Sequence, residues 1–184
     1  MTTQFMVKTA SQKVLFFLAK FSDREYYERQ IARKTGISYG SANSALNELY
    51  SSGTIKRRQA GKMFFYSVDT GNVAIRELKK IVNLFLLEPL VLKLKKLSSG
   101  IIIYGDCANG TDNAGSELNL FIATSNKEKV YRVLRGYKLP RGYEPVKLNP
   151  VVKTIDELMI INKTDRAFSI QLNSGMILYK QSPD

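Results

Sequence analysis

The sequence predicts an α+β fold in which a helical N-terminal unit with a basic hairpin is followed by linker helices and a C-terminal α/β unit with a small mixed sheet. Apolar residues recur mostly at helical spacing before residue 99, whereas short strand and helix patterns alternate after it. The charge changes at the same place. Residues 1–98 carry 17 Lys and Arg against 7 Asp and Glu, and residues 99–184 carry 11 against 9. We therefore expect segments at 1–71, 72–98 and 99–184.

Composition excludes several classes of function. Charged residues interrupt every long apolar stretch, so no membrane span is expected, and the N-terminus lacks the apolar core of a signal peptide. Cys107 is the single cysteine, which rules out an intrachain disulfide and favours a reducing, cytoplasmic location. Because the chain has no histidine, zinc sites and Ser/His/Asp catalysis are not expected. We predict no metal and no cofactor.

The first 36 residues predict two helices joined by a short strand. Ser11 is the expected N-cap of the first helix. Its apolar stripe consists of Val14, Leu15, Leu18 and Phe21. Tyr26 and Tyr27 suit a short strand, and residues 28–35 have the pattern of a second helix. Gly36 then supplies a turn.

A third helix is predicted to begin after Ser38 as its N-cap. The stripe expected to be buried is Ala42, Ala45, Leu46 and Leu49. The opposite face carries side chains that can approach the edges of DNA bases, and Asn can pair bidentately with adenine. The residues that we predict to read bases are Tyr39, Asn43, Ser44 and Asn47.

A basic hairpin follows, in which residues 54–58 and 63–68 pair around the turn Gln59-Ala60-Gly61-Lys62. Cations on this hairpin and on the second helix are expected to bind the phosphates of double-stranded DNA. The predicted phosphate contacts are Arg29, Arg33, Lys34, Lys56, Arg57, Arg58 and Lys62. The alternative is that these cations are only solvated and that the unit binds protein or dimerises.

The whole stretch "YYERQIARKTGISYGSANSALNELYSSGTIKRRQAGKMFFYSV" resembles the winged helix-turn-helix of transcription regulators of the arsenical-resistance-repressor type. The resemblance covers about 45 residues. It implies that the helix after Ser38 is the recognition helix. Many members of that family sense metals through Cys and His clusters, and this chain has one Cys and no His. Metal sensing is therefore not implied.

The middle segment predicts a long amphipathic helix over residues 73–88, which Pro89 is expected to interrupt before a second helical stretch. The stripe of the first part is Leu78, Ile81, Val82 and Phe85, widened by Leu84, Leu86 and Leu87. The second part turns Leu90, Val91, Leu94 and Leu97 inward. So much apolar surface predicts a homodimer interface. The alternative is that the stripe packs only against this chain's own C-terminal domain.

The C-terminal segment predicts a small α/β unit. Strands are expected at 101–104, 117–123, 146–152 and 176–180, with the third broken by Pro150. Helices are expected from a cap at Ser125 through Arg135, then at 155–162 and 165–173. In the second strand, Leu118, Leu120 and Ile122 share one face, and Glu117, Asn119 and Phe121 share the other.

The segment "IIIYGDCANGTDNAGSELNLFIAT" resembles the active-site signature of minimal nucleotidyltransferases of the polymerase-beta superfamily, and the likeness covers most of residues 100–180. In some transcription regulators, such a domain follows a winged helix and a linker like "VAIRELKKIVNLFLLEPLVLKLKKL". The resemblance implies a Gly-Ser turn and two carboxylates, spaced by one residue, that hold magnesium. The matching positions here are Gly105, Asp106, Glu117 and Asn119.

These positions do not retain the chemistry that the resemblance implies. Asn119 offers an oxygen without charge, and Glu117 extends its carboxylate one methylene further than Asp. The third strand carries only Lys147, Asn149 and Lys153 as nearby polar residues. We therefore expect a domain without catalytic residues, kept for packing, dimer contacts or binding of a protein partner.

Taken together, the sequence predicts a cytoplasmic, homodimeric, sequence-specific DNA-binding transcription regulator with an inactive nucleotidyltransferase-like domain. Two alternatives stay open. One is an active nucleotidyltransferase that uses its winged helix to find a protein or RNA substrate. The other is an antitoxin-like subunit whose partner covers the C-terminal domain.

Overall fold

A computed structural model of the chain describes residues 7–181 and has a mixed α+β fold. The described residues form two sheets and eight helices. The first half contains α1 (Ala10–Lys20), β1 (Tyr26–Tyr27), α2 (Glu28–Thr35), α3 (Tyr39–Ser51), β2 (Lys56–Ala60) and β3 (Met63–Ser67). The antiparallel strand order β1-β3-β2 makes β1 the third strand of a sheet built on the β2–β3 hairpin.

The predicted helices and hairpin of this half are present, but the cap of α1 is not the expected one. Thr9 caps α1 through a capping box, in which its side chain and that of Gln12 each bond the other residue's backbone N–H. Ser11 instead donates its hydroxyl to Glu48 of α3. The prediction of Ser11 as N-cap was wrong. A capping box joins residues three positions apart, and Gln12 stands at that distance from Thr9 and not from Ser11. Ser38 does cap α3, as predicted.

The long α4 (Val73–Leu94) continues through Pro89, so the predicted break was wrong. A proline inside a helix costs about 3 kcal/mol. However, Leu86, Leu87, Leu90 and Leu94, on both sides of Pro89, are 0% exposed. Burying each such side chain contributes about 1.5–3 kcal/mol, which outweighs that cost. Within residues 7–181, neither α4 nor any other helix combines the length and apolar character needed to cross a membrane.

The C-terminal half forms a mixed four-stranded sheet in the order β6-β5-β4-β7. Its elements are β4 (Gly100–Tyr104), α5 (Asp106–Asn109), β5 (Leu118–Ala123), α6 (Lys127–Arg135), β6 (Leu148–Lys153), α7 (Ile155–Thr164), α8 (Arg166–Asn173) and β7 (Met176–Lys180). β5 and β6 are parallel, whereas the other neighbours are antiparallel.

Two local predictions in this half were wrong. Asn126, not Ser125, caps α6, because its side chain accepts a hydrogen bond from the backbone N–H of Lys129. Pro150 does not break β6, where it pairs with Leu120. β6 lies at the edge of the sheet, and an edge strand tolerates proline because one side of its backbone needs no partner.

One buried cluster runs through the helices of the first half, α4 and the inner face of the C-terminal sheet. Of the predicted α4 stripe, the residues in this cluster are Leu78, Val82, Phe85, Leu86 and Leu87, whereas Ile81 is 38% exposed. The helix α4 packs on α1, α5 and α6. This is close to the alternative that the sequence left open, although the stripe also packs against the first half of the chain. A second, smaller cluster lies between the outer face of the sheet and the α7–α8 pair.

A buried polar junction also joins the two halves. Lys20 at the end of α1 donates to Asp112 at 2.6 Å and to Asn83 of α4 at 2.7 Å. Asn83 in turn donates to Asp112 at 3.1 Å and to the Cys107 carbonyl at 2.9 Å. The side chains of Lys20 and Asp112 are 0% exposed. Burial raises the pKa of the adjacent Cys107 thiol to about 11.

The loop between α6 and β6 packs against the end of α2. Gly142 in this loop has φ +92°, and a Cβ atom there would lie 2.2 Å from the backbone oxygen of Lys34. Tyr143 stacks on Phe21 with 5.9 Å between ring centroids. The loop therefore fixes the C-terminal half against α1 and α2.

Candidate nucleic-acid interface

All four residues predicted to read bases lie on one exposed face of α3. Ser38 begins the helix by accepting a hydrogen bond from the backbone of Ser41. The helical period then turns the predicted apolar stripe inward, where all four of its residues are buried. The residues on the exposed side, which we call the α3 face, are Tyr39, Asn43, Ser44 and Asn47.

Two side chains of the α3 face bond each other. Asn47 Nδ2 donates to Asn43 Oδ1 at 3.1 Å, one helical turn away. A bidentate contact with adenine uses both the oxygen and the nitrogen of an amide. The Asn43 oxygen already has one donor, so Asn43 would keep its amide hydrogens for a base edge, and Asn47 would keep its oxygen.

Glu28, which was not predicted from the sequence, also lies at this site. Tyr39 donates its hydroxyl to Glu28 Oε2 at 3.0 Å, and this hydrogen bond raises the pKa of Tyr39. Glu28 Oε1 is buried and has no hydrogen-bond partner within the described part of the chain. An acidic residue at the first position of a helix is ordinarily explained by the helix dipole. The sequence therefore gave no indication that Glu28 contacts Tyr39, eleven residues further along the chain.

A groove of about 770 Å³ separates the beginnings of α2 and α3 from the tip of the hairpin. It brings together four residues from the predicted set: Arg29, Tyr39, Asn43 and Lys62. Exposed apolar side chains of the hairpin, Met63 and Phe64, form part of its wall. Arg33, one turn beyond Arg29 on α2, is also exposed, whereas Lys34 is half-buried beside the Gly142 loop.

Two of the three cations of strand β2 already have acidic partners. Arg58 Nε donates to Glu25 Oε2 at 2.9 Å, and Lys56 Nζ lies 3.3 Å from Asp69 Oδ1. The hydrogen bond from Arg58 lowers the pKa of Glu25. All four side chains are well exposed, and such surface pairs contribute about 0–1 kcal/mol. A phosphate can therefore compete for these cations.

Arg57 is held differently from its neighbours. Its guanidinium carbon lies 3.9 Å from the ring centroid of Tyr50 and 4.7 Å from that of Phe64. Stacking on two aromatic rings orients a guanidinium while leaving its charge in place. Arg57 is thus a fixed cation on the hairpin, between the end of α3 and β3.

The positions that resemble a nucleotidyltransferase site lie at the far end of β4. Gly105 has φ +73°, and a Cβ atom there would lie 3.2 Å from Asn119 Nδ2. Asn119 Oδ1 accepts a hydrogen bond from Asn149 Nδ2 of β6 at 2.9 Å. Asp106 is exposed at the start of α5, where it accepts from Thr111, and Glu117 immediately precedes β5.

These residues do not fit the magnesium ions that the resemblance implies. Magnesium prefers charged carboxylate oxygens in octahedral geometry. Here Asn119, at the second of the two carboxylate positions, is neutral, and an amide–amide hydrogen bond joins it to Asn149 of β6. Among residues 7–181, no three Cys, Asp or Glu side chains cluster closely enough to hold a metal ion. At this end of the sheet, Asn119 and Asn149 therefore offer neutral hydrogen-bonding groups.

In comparisons with protein families, curated proteins and solved structures, no match to this chain was found.

Proposed function

We propose that this chain is a sequence-specific, double-stranded-DNA-binding transcription regulator with an N-terminal winged helix-turn-helix. The observation that carries the proposal is the groove between α2, α3 and the hairpin, where Arg29 and Lys62 flank the polar residues Tyr39 and Asn43. Cations on a rim beside hydrogen-bonding groups are what a duplex requires of a protein, since phosphates supply affinity and base edges supply specificity. The net charge of +12 supports an anionic partner.

The proposal divides the work between two sets of residues. The first set, the α3 face, would read bases in the major groove, with Tyr39 held in place by its hydrogen bond to Glu28. The second set, which would hold phosphates, is Arg29, Arg33, Lys34, Lys56, Arg57, Arg58 and Lys62. We further propose that the C-terminal half is an inactive nucleotidyltransferase-like domain.

The division is tested with two kinds of variant against selected and random duplexes. Changing Lys56, Arg57 and Arg58 together to Gln is expected to weaken binding to all duplex sequences equally and to make the affinity depend less steeply on salt concentration. A matched control removes the same charge elsewhere by changing Lys138, Lys147 and Lys163 to Gln. Asn43→Ala is expected to cost about 1–3 kcal/mol at particular base pairs. If the hairpin and Asn43 variants behave alike, the division is wrong.

The proposal includes a homodimer, as a two-fold DNA site would require. Most of the α4 stripe is buried within the chain, so a second copy would have to cover mainly another surface. α7 has no buried residue, and Met159, Ile160 and Ile170 on α7 and α8 are each more than half exposed. Light scattering at micromolar concentration is expected to give twice the monomer mass, and Ile160→Asp is expected to reduce it.

The same exposed surface favours the antitoxin-like alternative, in which a different protein covers α7 and α8. Light scattering separates the two. A monomer in isolation, together with weak binding to every duplex, would favour the alternative over the regulator.

A further inference from the structure

Two clefts meet at the beginning of β4, at the opposite end of that strand from Gly105. One, the apolar cleft, has a volume of about 650 Å³ and is lined mainly by Ile102, Phe121, Leu158 and Ile177. The other, the lysine cleft, has a volume of about 530 Å³ and contains Lys95, Lys96 and Lys129. They share Ser99, Ile155, Tyr179 and Gln181 as lining residues. The two clefts therefore form one site with an apolar part and a cationic part.

The apolar cleft exists because α7 covers the outer face of the sheet incompletely. Ile155 and Ile177 on its walls are 52% and 61% exposed. Its floor includes Gly100, where the nearest neighbour of an added Cβ atom would be the Ala123 methyl at 3.9 Å. Apolar surface left in water is unfavourable, and volumes of about 300–1,000 Å³ are usual for small-molecule sites. An apolar ligand of moderate length fits this space.

The lysine cleft has the chemistry of an anion site. Within the described range, none of its three lysines forms an ion pair, and neither cleft is lined by Asp or Glu. Asn126, the N-cap of the nine-residue α6, also lines it, so the positive end of a helix dipole lies nearby. Net positive charge without a counter-charge favours an anionic group there.

Ser98 supplies independent evidence for a ligand. It lines the lysine cleft and is 7% exposed, and its hydroxyl is buried without a hydrogen-bond partner among residues 7–181. Only one other buried side-chain oxygen or nitrogen in that range shares this property, Glu28 Oε1. A buried hydroxyl without a partner is costly, so an oxygen atom of a ligand would satisfy it.

We propose that the joined clefts bind an amphipathic anion. Its alkyl or acyl chain lies in the apolar cleft, and its phosphate or carboxylate head lies among the three lysines and Ser98. The proposal does not depend on DNA binding, because the site involves none of the residues of the α3 face or the hairpin.

Calorimetric titration of the full chain tests this with dodecyl phosphate below its micelle concentration. Inorganic phosphate has the head alone, and dodecyl maltoside has the same chain with an uncharged head. Dodecyl phosphate is expected to bind with one-to-one stoichiometry, and each of the others about tenfold more weakly or worse. Equal affinity for dodecyl maltoside would mean unspecific detergent binding and would overturn the proposal.

Variants assign the two parts of the site. Gly100→Val fills the apolar cleft, and changing Lys95, Lys96 and Lys129 together to Gln removes the cations. Each change is expected to weaken the binding of dodecyl phosphate about tenfold or more. Changing Lys138, Lys147 and Lys163 to Gln is expected to leave this affinity unchanged. Unchanged affinity in the Lys95, Lys96 and Lys129 variant would overturn the proposal.

Ser98→Ala gives a readout that a merely structural role would not. Removing an unsatisfied hydroxyl is expected to raise the melting temperature of the free protein and to weaken dodecyl phosphate about fivefold. A variant that loses stability and retains full affinity contradicts the role given to Ser98. Phosphatidylglycerol vesicles distinguish a membrane lipid from a soluble anion as the source of the ligand. Co-sedimentation of the protein with the vesicles that dodecyl phosphate displaces indicates a lipid, and no co-sedimentation indicates a soluble ligand.

Discussion

The buried pair Lys20–Asp112 provides a quantitative test of how the two halves are joined. Both side chains are 0% exposed, and their charged atoms lie 2.6 Å apart. Removing one partner leaves the other charge buried without its ion-pair partner, which costs about 3–5 kcal/mol. Lys20→Met is therefore expected to lose that much free energy of unfolding, and Asp112→Asn a similar amount. In a chain of 184 residues this lowers the melting temperature by about 6–20 °C.

Urea denaturation of both single variants and of the double variant measures the coupling. The double variant removes both charges, and the amide introduced by Asp112→Asn would still offer an acceptor oxygen to Asn83. Its loss of unfolding free energy is expected to be about 2–3 kcal/mol smaller than the sum of the losses in the two single variants. The exposed pair Arg132–Glu128 is the control, with an expected coupling of about 0.5 kcal/mol or less. Additive losses at Lys20 and Asp112 would refute the junction as described.

Three further predictions concern stability and reactivity. Gly142→Ala is expected to destabilise the chain by more than about 1 kcal/mol in urea, because its Cβ would meet a backbone oxygen of α2; Gly53→Ala, at φ +71° with open space around it, should cost less. The Lys127 hydrogen bond lowers the pKa of Glu157 to about 2, so NMR titration should show this carboxyl protonating near pH 2. Its stabilising effect is present above about pH 4.5 and is lost as the pH falls towards 2. Lys127→Gln should reduce this effect, while the backbone hydrogen bond from Thr154 retains part of it. Because burial raises the pKa of Cys107 to about 11, iodoacetamide at about pH 8 should alkylate it slowly in the folded chain and quickly in urea; fast alkylation of the folded chain would contradict its burial.

The elements that the sequence predicted well are those fixed by local patterns. Ser38 caps α3 and the predicted stripe of that helix is buried, because helix caps and apolar spacing act within a few residues. The alternation of Leu118 and Phe121 between two faces of β5 is confirmed by their separate buried clusters. The residue types that could bind DNA were likewise visible in the sequence, although whether they do so stays a prediction.

The elements that the sequence missed depend on contacts between distant residues. Pro89 stays helical because the leucines around it are buried by other elements. Lys20 gave no signal of burial, since its partner Asp112 is 92 residues away. Ser98 and Glu28 could be identified as candidate site residues only from the structure, because each lines a cavity and has a buried oxygen without a hydrogen-bond partner among residues 7–181.

The central proposal is that α2, α3 and the β2–β3 hairpin of the N-terminal half bind duplex DNA. Fluorescence anisotropy of a labelled random duplex, titrated with the full chain at several salt concentrations, tests it most directly. With four to seven phosphate contacts, the logarithm of the affinity is expected to fall with the logarithm of salt concentration with a slope of about 4 to 6. Anisotropy that stays flat even in dilute buffer would contradict the claim.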